Sequence, residues 1–203
     1  MRTVELTRET VRLIDQRRLP AELAVLECRT YQEVGEAIRT LAVRGAPAIG
    51  VAAAGGLALA ARALAGQPSE QFWQGLEEAA AALRATRPTA VNLFWAIERV
   101  MRYAKEQAGM PPREVAEAIY NYAQEMAEED VATNRRMAEW GEPLIADGAG
   151  ILTHCNTGSL ATVDWGTALG VIRLAHERGK RIHVYVDETR PVLQGARLTA
   201  WEC

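Results

Sequence analysis

The sequence predicts an α/β protein, with a mostly helical part first and a parallel α/β part after it. Two observations carry that prediction. Between residues 30 and 140, apolar side chains recur at helical spacing, and proline and glycine punctuate the runs. After that, Ile151-Leu152-Thr153-His154 reads as a strand leading into the polar turn Cys155-Asn156-Thr157-Gly158. An amphipathic helix from about Gly166 to Arg178 follows, then a second strand, Ile182-His183-Val184-Tyr185-Val186. In open parallel sheets ligands sit beyond the carboxyl ends of the strands, which is where Cys155 and Asp187 fall. The division expected is residues 1–143, mostly helical, and 144–203, the first part of a parallel α/β unit.

In order along the chain, residues 4–27 alternate loosely and fit short strands or an extended arm. Thr30-Tyr31-Gln32-Glu33 has the form of a capping box, with Val34, Ile38 and Leu41 behind it at helical spacing. Arg44-Gly45-Ala46-Pro47 ends that helix, because proline biases the residue before it away from helical dihedrals. A second helix is expected from about Ala48 to Ala65. Gly50, Gly55 and Gly56 lie inside it, each costing ~1 kcal/mol relative to alanine. Such a cost implies that another backbone, or a ligand, comes close. Ser69 is placed to cap a third helix reaching about Ala85, and Arg87-Pro88-Thr89 breaks the chain again. Leu93, Ile97, Val100 and Met101 mark a fourth helix, and Pro111-Pro112 starts a fifth that runs towards Trp140. Two strands alone would leave both sheet edges open, so the expectation is an α/β unit incomplete within these residues.

Composition narrows the function. With 203 residues, 49% hydrophobic and 24% charged, the chain is ordinary for a globular protein. A net charge of −3 and a pI near 5.7 argue against nucleic acid or an anionic membrane as the main partner. Three cysteines without short spacing suggest neither a disulfide framework nor a zinc cluster, and a cytoplasmic setting is expected. The apolar run Ala46–Ala61 is short of the ~20 residues that span a bilayer and reads as a closely packed core helix.

Chemistry concentrates at a few positions. Cys155, leaving a strand into a turn rich in free amides, has the setting that favours a thiolate; its alternative is a small buried apolar residue. His154 is expected on the opposite strand face, and the three histidines show no metal-ligand spacing. Cys28 and Cys203 are expected to be inert. Asn156-Thr157-Gly158-Ser159, with Gly166 and Gly170, has the makings of a phosphate cradle at a helix start. Arg44 and Arg87 each stand in a tight turn before a helix, where guanidinium and free amides can converge on an anion. Asp187-Glu188-Thr189-Arg190 offers either acid–base groups or a helix start.

These motifs are similar to those of the methylthioribose-1-phosphate isomerase family. The resemblance rests on Val43-Arg44-Gly45-Ala46-Pro47-Ala48-Ile49-Gly50, Arg87-Pro88-Thr89-Ala90-Val91-Asn92, Thr153-His154-Cys155-Asn156-Thr157-Gly158-Ser159 and Asp187-Glu188-Thr189-Arg190-Pro191-Val192-Leu193-Gln194-Gly195-Ala196-Arg197. It covers about Asp15 to Trp201, and the wider family includes regulatory subunits of translation initiation factor 2B. It implies a Rossmann-like second domain, a homodimer, and isomerisation of 5-methylthioribose 1-phosphate without metal or organic cofactor. It also implies Cys155 as the catalytic cysteine, and substrate contacts from Arg44, Gly45, Ala46, Arg87 and Gln194. Related isomerases of ribose 1,5-bisphosphate or 5-deoxyribose 1-phosphate, and non-enzymatic regulatory subunits, are the alternatives. The family's catalytic aspartate is expected on a later strand, so these 203 residues alone are expected to turn over little substrate. Gly55, where an aromatic residue is expected, and Asp164-Trp165, in place of Gly-Tyr, depart from the family pattern.

Overall fold

The computed structural model describes residues 1–203 and is α/β. The N-terminal segment resolves into strands rather than an arm. β1 (Val4–Leu6), β2 (Val11–Ile14) and β3 (Val25–Cys28) form an antiparallel sheet, with Val4 opposite Leu13 and Val11 opposite Cys28. Strand alternation sends Val4, Leu6, Val11 and Leu13 to the buried side, where they join the main core.

Helix α1 (Tyr31–Arg39) starts on the predicted capping box. The Thr30 hydroxyl accepts from the Glu33 amide, and the Glu33 carboxylate accepts from the Thr30 amide. α2 spans Ala46–Leu64, starting two residues earlier than expected. Proline is tolerated in a first helical turn, where its missing N–H has no intrahelical partner, so Pro47 lies inside the helix and Gly45 makes the turn.

Every residue from Ala48 to Ala61 of α2 is buried. Helix α3 (Ser69–Arg84), α4 (Val91–Glu106), α5 (Pro112–Gly141) and α1 all pack on it. α2 is long and apolar enough to cross a membrane by length and composition, yet in this fold it is the enclosed centre of a helical core. Its glycines answer to neighbours. A Cβ on Gly50 would lie 3.2 Å from the Asn92 carbonyl oxygen, so glycine lets α4 come close. Ser69 is the first residue of α3 rather than its cap: the Pro68 carbonyl accepts the Phe72 amide at 2.9 Å, and no side chain caps the helix.

β4 (Gly150–His154) and β5 (His183–Asp187) pair in parallel, with His154 opposite Asp187. Helix α6 (Ala168–Glu177) crosses between them. It is shorter than expected because Trp165 and Gly166 take left-handed backbone angles, φ 73° and 86°, and Gly166 bridges back to Gly158. The second strand lies one residue later than expected and ends on Asp187 itself. The chain closes in a five-residue π-helical stretch, Gly195–Thr199, continued by one helical turn, Ala200–Glu202.

Candidate anion-binding cavity and cysteine turn

A cavity of about 510 Å³ lies where the helical core meets the chain's last helical segment. Arg44, Gly45, Ala46, Arg87 and Gln194, five residues singled out from the sequence, all line it. The sixth, Cys155, stands beside it. Its neighbour Asn156 accepts a hydrogen bond from Arg44 Nη1 at 2.9 Å.

The walls are built by two helix starts. α2 begins at Gly45-Ala46 and α4 at Ala90-Val91, and no side chain caps either one. Helices of 19 and 16 residues thus point free amides and the positive ends of their dipoles at one space. Arg44 and Arg87 stand at the same place, and neither is paired with a carboxylate. Burial pushes the Arg44 guanidinium below its ordinary value and Arg87 adds to this, while Cys155 and Glu202 oppose it. Two unpaired cations and two amide rows form a seat for an anion. Leu41, Ile49, Val91, Pro191 and Val192 make the remainder of the lining largely apolar.

Gly45 is required at its corner. Its φ is 97°, and a Cβ there would lie 2.7 Å from the Ala161 carbonyl carbon. Backbone strain gathers around the same space. Leu41 (φ 60°), Leu193 (φ 53°) and Cys155 (φ 61°) all occupy the left-handed region, which costs a non-glycine residue roughly 1–3 kcal/mol. Cys155 is held there from both sides: its amide donates to the Asp187 carbonyl at 3.2 Å, and its carbonyl accepts from Thr199 Oγ1 at 2.5 Å.

The turn after Cys155 is not the open phosphate cradle expected from sequence. Glu202 already fills it, accepting from Ser159 Oγ at 2.7 Å, the Leu160 amide at 2.9 Å and Asn156 Nδ2 at 2.5 Å. Thr157 Oγ1 takes the Leu169 amide at 3.2 Å. The protein's own carboxylate satisfies the donors that a ligand would otherwise meet. The donors left open to an anion are therefore those of Arg44 and Arg87 in the cavity.

The Asp187-Glu188-Thr189-Arg190 run is not itself a helix start: it ends β5 at Asp187 and enters a turn, from which the Glu188 side chain reaches the first amides of the stretch that begins at Gly195. Glu188 accepts the amides of Gly195 and Ala196, each at 2.8 Å, and these bonds hold its carboxyl below the ordinary range. Thr189 donates its hydroxyl to the Gln194 side chain. Asp187 instead faces His154, whose Nδ1 lies 3.6 Å from its carboxylate on an exposed edge. Cys28 is buried in the core, which pushes its thiol up to about 11. Cys203 is exposed at the chain's end.

The two departures from the family pattern fall outside the cavity lining. A Cβ on Gly55 would meet Leu6 and Val11 at 2.5 and 2.7 Å, so these two side chains fill the space an aromatic ring would need. The Arg173 guanidinium lies over Trp165, 4.4 Å from the ring centroid, and Asp164 binds the amino terminus at 3.0 Å. Thr199, Glu202 and the uncapped start of α4 are the parts the sequence did not disclose. Glu202 pairs with groups more than 40 positions away, and no local pattern encodes that.

Comparison with known proteins agrees with this arrangement. The chain is 54% identical over 202 residues to a methylthioribose-1-phosphate isomerase of Syntrophotalea carbinolica, covering 100% of this chain and 59% of that protein. It therefore spans a little over half the length of the curated relatives it matches. The solved 5-methylthioribose 1-phosphate isomerase of Pyrococcus horikoshii superposes with a TM-score of 0.94 at 48% identity, over 99% of this chain and 56% of that one. A structure from A. fulgidus, described as translation initiation factor eIF-2B subunit delta, gives 0.90 at 50% identity, over 100% and 58%. The sequence profile of the Initiation factor 2 subunit family matches residues 42–203, which include the cysteine turn and every cavity residue except Leu41. The chain thus belongs to the initiation factor 2 subunit family.

Proposed function

We propose that this protein is an aldose–ketose isomerase that converts 5-methylthioribose 1-phosphate to 5-methylthioribulose 1-phosphate, a step of methionine salvage. One observation carries the reading. Two unpaired arginines and two uncapped helix starts meet in a cavity beside a strained cysteine. The names of the similar Syntrophotalea and Pyrococcus proteins support it.

The chemistry fits these residue types. A phosphorylated anomeric oxygen keeps the sugar ring from opening simply to a free aldehyde. The site must grip the phosphate, assist ring opening and move hydrogen between C1 and C2. Arg44 and Arg87, with the amides of Gly45 and Ala46, take the phosphate, and Gln194 holds a sugar hydroxyl. Cys155 serves as an acid–base group at the reacting carbons. A bisphosphate would need a second cationic seat, but Arg44 and Arg87 are the only charged residues lining the cavity. Its apolar walls suit a methylthio group instead.

The reading extends to the architecture: residues 1–143 as a helical domain and 144–203 as the first part of a Rossmann-like one, in a cytoplasmic homodimer that uses no cofactor. A second reading, a non-enzymatic regulatory subunit, draws support from the A. fulgidus likeness. A protein of that kind has no need of a strained cysteine beside unpaired arginines.

Titration with 5-methylthioribose 1-phosphate tests the proposal. Saturable binding, lost in Arg44→Ala and Arg87→Ala, is expected; no binding refutes the isomerase reading. The ketose product is then assayed with these 203 residues. Robust turnover would overturn the expectation that an aspartate on a later strand is needed.

A further inference from the structure

We propose that Glu202 is a positioning residue for Arg44 and Cys155, acting through the buried amide of Asn156 and through the Ser159–Leu160 turn. Its catalytic consequence rests on the isomerase reading above.

Asn156 is 5% exposed, and its side chain stands between two charges. Its Oδ1 accepts from Arg44 Nη1 at 2.9 Å, and its Nδ2 donates to Glu202 Oε2 at 2.5 Å. A guanidinium only donates and a carboxylate only accepts, so one orientation of the amide satisfies both neighbours. Glu202 thereby sets the direction in which Arg44 enters the cavity wall. The same carboxylate accepts from Ser159 Oγ and the Leu160 amide, which pins the turn beyond Cys155. Gly158 leaves room for it: a Cβ there would lie 2.5 Å from the Glu202 carboxylate carbon.

Thr199, three residues before Glu202, donates to the Cys155 carbonyl. Residues of one helical segment thus hold both ends of the turn, while Gln194, at the start of that segment, faces the cavity. Cys155 keeps its left-handed backbone only while these bonds over-determine it.

A neutral glutamine at 202 breaks this pattern whichever way it turns. Its NH₂ must face either Asn156 Nδ2 or the Ser159–Leu160 donors, and flipping Asn156 only moves the mismatch to Arg44. Exchanging the two groups restores the match at Arg44, Ser159 and Leu160, but it pairs Arg44 with a carboxylate and removes the donor that Thr199 Oγ1 accepts at 3.1 Å. In Glu202→Gln with Asn156→Asp, the new carboxylate accepts from Arg44 and from Gln Nε2, while Gln Oε1 keeps Ser159 and Leu160.

The test compares wild type, Glu202→Gln, Asn156→Asp and the double exchange. It reads iodoacetamide labelling of Cys155 at pH 8 by peptide mass spectrometry, calorimetric affinity for 5-methylthioribose 1-phosphate, and thermal midpoints. Each single variant is expected to label Cys155 at least fivefold faster and to bind at least tenfold more weakly. The double exchange is expected to return labelling at least halfway to wild type, while affinity stays low because the carboxylate at 156 pairs with Arg44. Unchanged labelling in Glu202→Gln, or a double exchange that labels as fast as the singles, overturns the proposal. If Glu202→Gln does not fold, Asn156→Asp against the double exchange decides in the same way. A wild type that fails to bind the sugar phosphate refutes the isomerase reading, and the labelling arm still decides the role of Glu202.

Discussion

Arg44 and Asn156, 112 positions apart, are joined by a 2.9 Å hydrogen bond that ties the turn before α2 to the turn after β4. The bond brings an arginine of the helical core and the residue beside Cys155 to one cavity edge. An anion held by Arg44 is therefore held next to the cysteine.

That geometry makes Arg44 the first residue to change. A hydrogen bond to a charged group contributes ~1.5–3 kcal/mol, so Arg44→Ala should weaken phosphate-ester binding by roughly tenfold to a hundredfold. Arg44→Lys keeps the charge but loses the planar fork and should recover only part of this. Calorimetry on the three proteins measures it, and equal affinities would remove Arg44 from the site.

Gly45 tests the corner itself. With φ 97° and Ala161 backbone where a Cβ would go, Gly45→Ala should cost roughly 1–3 kcal/mol of stability. Urea midpoints measure this. A loss within error would mean that the corner relaxes freely.

Gly55 separates packing from binding. Gly55→Ala drives a methyl into Leu6 and Val11 and should destabilise the fold by about 1–3 kcal/mol. Ligand affinity at 20 °C should be unchanged, because Gly55 does not line the cavity. A selective loss of affinity would place Gly55 at the site after all.

The cysteines should differ sharply in reactivity. Native protein at pH 8 should label at Cys155 and, contrary to the inertness expected of it and although burial raises its thiol too, at the exposed Cys203. Burial lifts the Cys28 thiol to about 11 from an ordinary value near 9, so Cys28 should be spared. The folded value lies above the unfolded one. Between pH 9 and 11 the unfolded chain loses that proton first, and stability falls as pH rises. Cys28→Ala should flatten this alkaline limb in urea titrations, and parallel curves would refute the assignment.

Asp15 should govern part of the acid limb. Arg17 grips its carboxylate with two bonds of 2.8 Å and holds it below the ordinary range. The folded value is depressed, so this stabilisation is present above the unfolded value, ~3.9, and is lost as pH falls through the folded one. Urea midpoints for wild type and Asp15→Asn from pH 7 down to 2.5 should converge at the acid end. A constant gap would show that ionisation of Asp15 plays no part.

Much of this arrangement was legible in the chain. The Thr30–Glu33 capping box, the apolar stripes of α4 and α5 and the strand–turn–helix–strand order are local patterns, and local patterns report local structure. Boundaries moved where a turn residue outweighed propensity, as Gly45 did before Pro47 and Gly166 did before α6. The turn after Cys155 has the sequence of an open phosphate cradle because an unfilled turn and a turn filled by a distant carboxylate look the same along the chain.

By itself, then, the sequence determined the element order, the packed character of α2, and the residue types suited to an anion and a thiol, since side-chain spacing and turn chemistry act over a few residues. Only the tertiary structure decided that α2 and α4 aim their free ends at one cavity, that Glu202 rather than a ligand fills the cysteine turn, and that Asn156 joins Arg44 to it. Those relationships depend on how helices cross and where distant segments meet, and burial of the whole core fixes that.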